Sequence, residues 1–263
     1  MLKISPYNPA WPEMAQEEIA AIKKACGDTI LNIHHMGSTS VPGLDAKPII
    51  DMIAEMDSLE AFDYIKLEDM GYVNRGELII PFRTVLHRGD PRSHFLHIFE
   101  KDDPQIERNL CFRDYLKTNP DKKNEYAQIK HELAAKFQGS KTFWGYTRFK
   151  AMLIEDCLKD AGFDKYILTR AYAPEEWAAF KELMLTHGVA TEELAELSQK
   201  SLLNYERNYF ILTQFGEVIC GAIVEKDKNT YQVSANAKRA EVTADARSYF
   251  DVQIARWIRY ASR

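Results

Sequence analysis

The stretch from His34 to Ile53, HHMGSTSVPGLDAKPIIDMI, limits what this chain can fold into more than any other. It joins two extended segments through a glycine-serine turn and sets one acid inside the second. Residues Thr29 to Ile33, TILNI, have the β-branched character of a buried strand, and that strand runs into Gly37-Ser38. Glycine tolerates positive φ, so the chain can turn sharply there and present backbone N–H groups with the hydroxyls of Ser38, Thr39 and Ser40. Such a turn either cradles a phosphate or simply links two strands. After a second turn at Pro42-Gly43, the run Pro48 to Ala54, PIIDMIA, is apolar except for Asp51. A central strand reads this way when it carries one functional residue. Burying an unpaired carboxylate is costly, so Asp51 calls for a cation, either a metal ion or a basic side chain such as Lys47 or Arg83.

The surrounding pattern predicts a sheet with helices packed on it. Met14, Ile19, Ile22 and Ala25 recur at mostly helical intervals over Glu13 to Ala25, and Gly27-Asp28 closes that helix. Ser58 to Met70 reads as a helix capped by Asp57 or Ser58, and Leu78 to Val85 and His94 to Glu100 read as strands. From Asp103 to about Asp160 the pattern is helical in three segments, broken at Asn119-Pro120 and Gly139-Ser140, with Tyr126, Ile129, Leu133 and Phe137 on one face. Signals restart after Ala161-Gly162: a strand over Tyr166 to Leu168, and helices over Pro174 to Leu185 and Glu192 to Leu203. A hairpin follows, from Phe210 to Leu212 and Val218 to Val224 across Phe215-Gly216-Glu217. At 263 residues the chain is long enough for two domains, expected at 1–161 and 162–263, α+β overall with a smaller α/β second domain.

Composition narrows the partners. With 34 basic and 39 acidic residues the net charge is −5, which argues against a broad nucleic-acid footprint but leaves room for a small anion in a local basic pocket. Cys26, Cys111, Cys157 and Cys220 are widely spaced singletons, so neither a zinc knuckle nor a disulfide framework is expected, and a reducing cytoplasm fits. The first residues lack a basic-then-apolar signal pattern, and no apolar run approaches the roughly 18 residues that span a bilayer. The expectation is a soluble cytoplasmic protein with no membrane association.

The stretch GSTSVPGLDAKPIID resembles the pattern of the GrpB family, also designated UPF0157, in which GSTSVPGL is followed by AKPIID. Two further segments match that family in order and spacing. Arg92 to Glu100, RSHFLHIFE, is similar to its HLHVFE-like strand, and Leu110 to Phe137 is similar to its FRDYL helix and the YAxLKxxLA helix after it. The family is grouped by resemblance with nucleotidyltransferases. That implies a nucleotidyltransferase-like mixed sheet with a helical layer, and a nucleotide or other phosphate-bearing small molecule as ligand. In that superfamily a Gly-Ser or Gly-Gly pair is followed, after a spacer, by two alternating acids on the next strand. Asp51 stands at the first acid position, which implies a catalytic, metal-binding role with Mg2+ or Mn2+; the second position holds Ile53. One carboxylate alone is a weak magnesium cage, although ligand phosphates and water can complete the shell.

Gly37, Ser38, Thr39 and Ser40 are therefore candidate phosphate-binding residues. Lys47, Arg83, Arg92 and Arg113 are candidates to converge on phosphate oxygens, Arg offering a bidentate fork and Lys a point charge. Individually, each such residue is more often a solvated surface charge. In His94-Phe95-Leu96-His97 the strand period sets the two histidines on opposite faces, so they do not share one metal. His97 is either a ligand-binding residue or a hydrogen-bonded core histidine.

In the second domain, the order strand, two helices, hairpin is similar to the start of acetyltransferases of the GNAT kind, and the run Glu241 to Arg247, EVTADAR, precedes a helix-like segment as their acyl-CoA loop does. Those enzymes place two small residues after the loop's Arg or Gln so that backbone can approach pyrophosphate. Here Phe250 and Val252 follow Arg247, which would obstruct that approach. The expectation is a structural or interaction module that does not take acetyl-CoA. Tyr249, Phe250, Arg256, Trp257, Arg259 and Tyr260 form either its contact face or one side of a packed helix. Three classes of function stay open: a metal-dependent nucleotidyltransferase, a nucleotide- or metabolite-binding module without turnover, and an oligomeric interaction protein.

Overall fold

The structure, a computed structural model, describes residues 4–60, 62–136, 144–171, 173–190, 194, 207–228 and 230–262, apart from the side chains of 144–150. The chain divides into two units, Met1–Glu77 with Phe82–Phe163, and Leu78–Pro81 with Asp164–Arg263. Among the described residues no helix is long and apolar enough to cross a membrane.

In the first unit, helix α1 (Trp11–Cys26) has Pro12 in its first turn, where a missing N–H costs nothing, and Lys23 and Lys24 near its C-terminal carbonyls. Gly27 ends it at φ 63°. Trp11, Ala15, Ile19, Ile22 and Cys26 repeat at helical spacing and are all buried. They pack on a mixed sheet of β1 (Asn32–Met36), β2 (Ile50–Met56), β3 (Val73–Asn74), β4 (Arg83–Arg88) and β5 (His94–Glu100), in the order β1-β2-β5-β4-β3. The β2–β5 pairing is parallel and the other pairings are antiparallel.

Three helices follow: α3 (Pro104–Thr118), α4 (Pro120–Lys136) and α5 (Trp144–Asp160), after the short α2 (Ile65–Asp69). Asp103 caps α3 by accepting the Gln105 N–H at 2.9 Å. Leu116, Tyr126, Leu153 and Cys157 close around Val41 and Leu44 of the loop between β1 and β2. Lys123 Nζ donates to the Pro42 carbonyl at 3.2 Å, Lys130 Nζ donates to that of Asp45, and His131 bonds the Asp45 carboxylate at 2.9 Å. The helical layer thus fixes the loop that carries Lys47 toward β2.

Several sequence expectations shift. The strand placed at Thr29 to Ile33 begins at Asn32, because Gly27–Thr29 form a 3-10 turn in which the Thr29 hydroxyl donates to the Cys26 carbonyl at 2.6 Å. The helix expected over Ser58 to Met70 is only Ile65–Asp69; the Leu59 N–H is taken by the Glu100 carboxylate, a tertiary bond that replaces a helical one. The strand expected from Leu78 starts at Arg83, since Leu78 and Phe82 sit at φ 55° and 58° and Pro81 has no N–H for a ladder. The breaks expected at Gly139-Ser140, and the helix expected over Glu192 to Leu203, lie outside the described residues, Leu194 apart.

The second unit is an antiparallel sheet of β6 (Ile167–Arg170), β7 (Arg207–Gln214), β8 (Glu217–Asp227) and β9 (Thr230–Lys238), in that order. Helix α6 (Pro174–Thr186) sets Trp177, Phe180 and Met184 against Tyr209, Ile211 and Ile223. Gly221 permits this approach, because a Cβ there would meet Met184 and Phe180 at 3.0 Å. Helix α7 (Ala244–Ala261), capped by Thr243, packs on the other face, where Trp257 meets Phe210 at 4.8 Å between ring centres. Strand β9 has no counterpart in the sequence reading, although Tyr231, Val233, Ala235 and Ala237 alternate with polar residues along it.

Candidate functional site

Strand period and register build one polar sheet face in the first unit. On β2, Ile50, Met52, Ala54 and Met56 are buried on the side of α1, so Asp51, Ile53 and Glu55 point to the other side. Directly paired residues share a face. Three rows therefore cross β2, β5 and β4: Asp51–Phe95–His87, Ile53–His97–Val85 and Glu55–Phe99–Arg83. The rings of the first two rows adjoin, with His87 6.4 Å from Phe95 and Phe95 5.8 Å from His97. The Arg92 guanidinium lies 4.4 Å over the Phe95 ring.

Gly37 brings the turn onto this face. It adopts φ 70°, ψ −171°, a region open essentially to glycine alone, and a Cβ built there would stand 2.8 Å from Asp51 Oδ2. The turn therefore rests on the Asp51 carboxylate. Its hydroxyls have other partners than the cradle reading supposes. Ser40 Oγ donates to the Gly37 carbonyl at 2.6 Å, and Thr39 Oγ1 donates to the Ile49 carbonyl at 3.2 Å. Each hydroxyl has one proton, so neither Thr39 nor Ser40 has one left for a phosphate. Both side chains hold the turn instead. With the Thr39 proton so placed, His35 Nε2, 3.0 Å away, must donate to Thr39 Oγ1, which fixes the His35 tautomer. Ser38 opens the 3-10 turn beside Gly37.

The charges on the face act on one another. Burial lowers the pKa of Lys47, the Asp51 carboxylate raises it, and Arg92 lowers it again. Burial and then Arg83 push His97 down to about 3. Burial, then Arg92 and Arg75, lower His87. Both histidines are neutral at pH 7. Glu55, the next acid along the face, bonds His34 Nε2 at 2.7 Å.

The structure thus brings Gly37, Lys47, Asp51, Arg83, Arg92 and His97 to one sheet face and its rim. Arg113 does not join them. It forks onto the Asp114 carboxylate at 2.7 and 2.8 Å and donates to the His35 carbonyl at 3.0 Å, beside the edge strand β1. His94 is on the opposite face, where Ser93 Oγ bonds its Nδ1 at 2.8 Å near the buried Glu18. Sequence reasoning missed His87, Phe95 and Arg75. Phe95 was within reach, since it stands two residues before His97 on the same strand and so shares its face.

In the second unit the residues singled out for an acyl-CoA loop are otherwise engaged. Arg247 donates to the carbonyls of Val242 at 3.0 Å and Ala240 at 2.9 Å, and Phe250 is fully buried. Of the two readings of this helix, contact face or packed side, Phe250 and Trp257 follow the second and belong to this unit's own core.

Known proteins share the first unit. A family model described as GrpB protein matches residues 1–160. The UPF0157 protein YqkA of Bacillus subtilis is 42% identical over 137 residues, 51% of this chain and 40% of that one, so the match spans well under half of that relative. A crystal structure of conserved protein GrpB from Enterococcus faecalis superposes with a TM-score of 0.56 at 35% identity, covering 60% of this chain and 98% of that one. A more distant relative, a dephospho-CoA kinase of Mycolicibacterium paratuberculosis, is 27% identical over 166 residues, 52% of this chain and 41% of that one. With the match extending over most of the chain, and with Gly37, Asp51 and the strand Arg92 to Glu100 inside it, the chain belongs to the GrpB family.

Proposed function

We propose that the first unit binds a nucleotide or another phosphate-bearing small molecule on this sheet face, with Lys47, Arg83 and Arg92 as its anion-binding groups. One observation carries the reading. Lys47, His87 and His97 are each held down first by burial and then, with Asp51 opposing at Lys47, by a neighbouring arginine. Arginines that disfavour protonation of the groups beside them in a half-buried place mark a positive potential, and a bound anion relieves it. The match to a protein named dephospho-CoA kinase, a name that denotes phosphoryl transfer, supports the same ligand class.

Magnesium or manganese fits these residues poorly. Asp51 already faces Lys47, Ile53 fills the position of a second acid, and Glu55 is bonded to His34. Among the described residues no three His, Cys, Asp or Glu side chains gather as metal ligands. A lone carboxylate would rely on ligand phosphates and water for the rest of its shell. Binding is therefore assigned to the cations, without turnover and with no step routed through a metal. Nucleotidyl transfer by Asp51 and a divalent ion is the competing reading.

Calorimetric titration of the whole chain with ATP and GTP, in EDTA and then in magnesium, separates the two. Binding should persist in EDTA. Lys47→Met should weaken it about tenfold, or ~1.4 kcal/mol. Asp51→Asn should tighten it, because a negative charge leaves the face. Binding that needs the metal and vanishes in Asp51→Asn would overturn the proposal in favour of metal-dependent transfer.

A further inference from the structure

Beside the Phe95–His87 row is a cleft of about 490 Å³ lined by Val73, His87, Gly89, Asp90 and Arg92. That volume is within the range of roughly 300–1,000 Å³ usual for small-molecule sites. We infer that this cleft receives a nucleobase, so that the ligand of the first unit is a nucleoside phosphate rather than a free phosphate, a polyphosphate or a sugar phosphate. The inference rests on the anion-binding reading above and adds the class of molecule to it.

Three features of the cleft point to a flat heteroaromatic ring. Arg92 is held flat by stacking on Phe95, and among the described residues its N–H groups bond to no acceptor, so its outer face and its donor edge are both available. A guanidinium backed by an aromatic ring is a stacking platform for a base. His87 Nδ1 is buried and has no hydrogen-bond partner among the described residues, although buried polar atoms are normally paired. Its neutral imidazole offers one N–H and one lone pair, the kinds of group that pair with the edge of a base. Val73, half exposed, supplies an apolar side.

The charge distribution sets the direction of the ligand. Asp90 lines the cleft and repels phosphate, which places the phosphates away from it, toward Lys47 and the Gly37 turn. In the row Asp51–Phe95–His87, two strand spacings of about 4.8 Å separate β2 from β4. A base at β4 and phosphates near the Gly37 turn would thus span about 10 Å across the same face. An inorganic polyphosphate would leave Arg92's outer face, His87 and Val73 unused.

The test compares ATP, GTP, CTP and UTP with tripolyphosphate, by calorimetry on the full chain. At least one nucleotide should bind about tenfold more tightly than tripolyphosphate, the scale of one stacked base. Arg92→Lys keeps the charge on an exposed side chain and removes the flat platform, so it should bring the ratio of nucleotide to tripolyphosphate affinity close to one. His87→Ala should lower the ratio partly. Equal affinity for nucleotide and tripolyphosphate in the wild type would overturn the nucleobase assignment and leave the anion reading standing. A ratio unchanged in both variants would overturn the assignment of this cleft. Failure of every ligand to bind at millimolar concentration would overturn both readings.

Discussion

The two sheets treat their faces in opposite ways. In the second unit both faces are apolar: Tyr209 and Ile211 meet α6, while Phe210 meets Trp257 of α7. Its buried charge, Arg170, is fully engaged, donating to Asn208 Oδ1 at 3.1 Å and to the Leu78 carbonyl at 2.6 Å. In the first unit the α1 side is packed in this way, while the other side mixes the buried Ile53, Val85 and Phe99 with Asp51, His87, His97 and Arg83. A sheet covered by hydrocarbon on both faces is stable but has nowhere to hold a polar ligand, whereas a sheet with one polar face keeps charges that need partners.

If that contrast holds, core truncation in the second unit should be the most damaging change. Phe250→Ala removes a fully buried ring between α7 and the sheet and should cost about 4 kcal/mol, read as a lower urea midpoint for that unit. Phe95→Ala, at the polar face, should cost clearly less. Equal losses would show that the polar face is as tightly packed as the core.

Glycine substitution sharpens the comparison. Gly37→Ala forces a residue into a glycine-only conformation and drives its Cβ to 2.8 Å from Asp51 Oδ2, so a loss of about 3 kcal/mol is expected. Gly221→Ala in the second unit has no positive φ and meets only the ends of Met184 and Phe180 at 3.0 Å, and it should cost about 1 kcal/mol. Thermal melts of the two variants check the order. A larger loss for Gly221→Ala would mean that the turn at Gly37 yields.

The two units should also differ in pH dependence. His97 and His35 have pKa values lowered to about 3 and about 4, in both cases first by burial. Between those values and the ordinary 6.5 the unfolded chain binds more protons than the folded one. Their contribution to stability is therefore complete above pH 6.5 and is lost as pH falls through about 6.5 toward 4. The second unit contains one histidine, His187, so its melting should change less over the same interval. Denaturation followed at pH 7.5 and pH 5 tests this, and an unchanged first unit would contradict the burial of His97.

Much of the fold was legible before any coordinates. The apolar run around Asp51, the strand His94 to Glu100 and the helices after Asp103 keep limits within a residue or two of those expected. The failures share a cause. Ser58 to Met70 has helical composition, yet the Glu100 carboxylate takes the Leu59 N–H, and Leu78 to Pro81 has strand composition, yet it is held in the second unit by the Ile79 carbonyl and Arg170. In each case a bond to a residue distant in sequence outweighs local preference.

By itself the sequence determined the turn and the acid. Gly37 and Asp51 are legible because glycine's backbone freedom and the cost of a buried carboxylate are properties of single residues. Tertiary structure decided which groups meet Asp51. The parallel pairing of β2 with β5 and the antiparallel pairing of β5 with β4 set Phe95 and His87 in its row, and loop geometry turns the Thr39 and Ser40 hydroxyls onto carbonyls. Strand order and register are long-range choices, made by the whole hydrophobic pattern at once, and no local window of residues contains them.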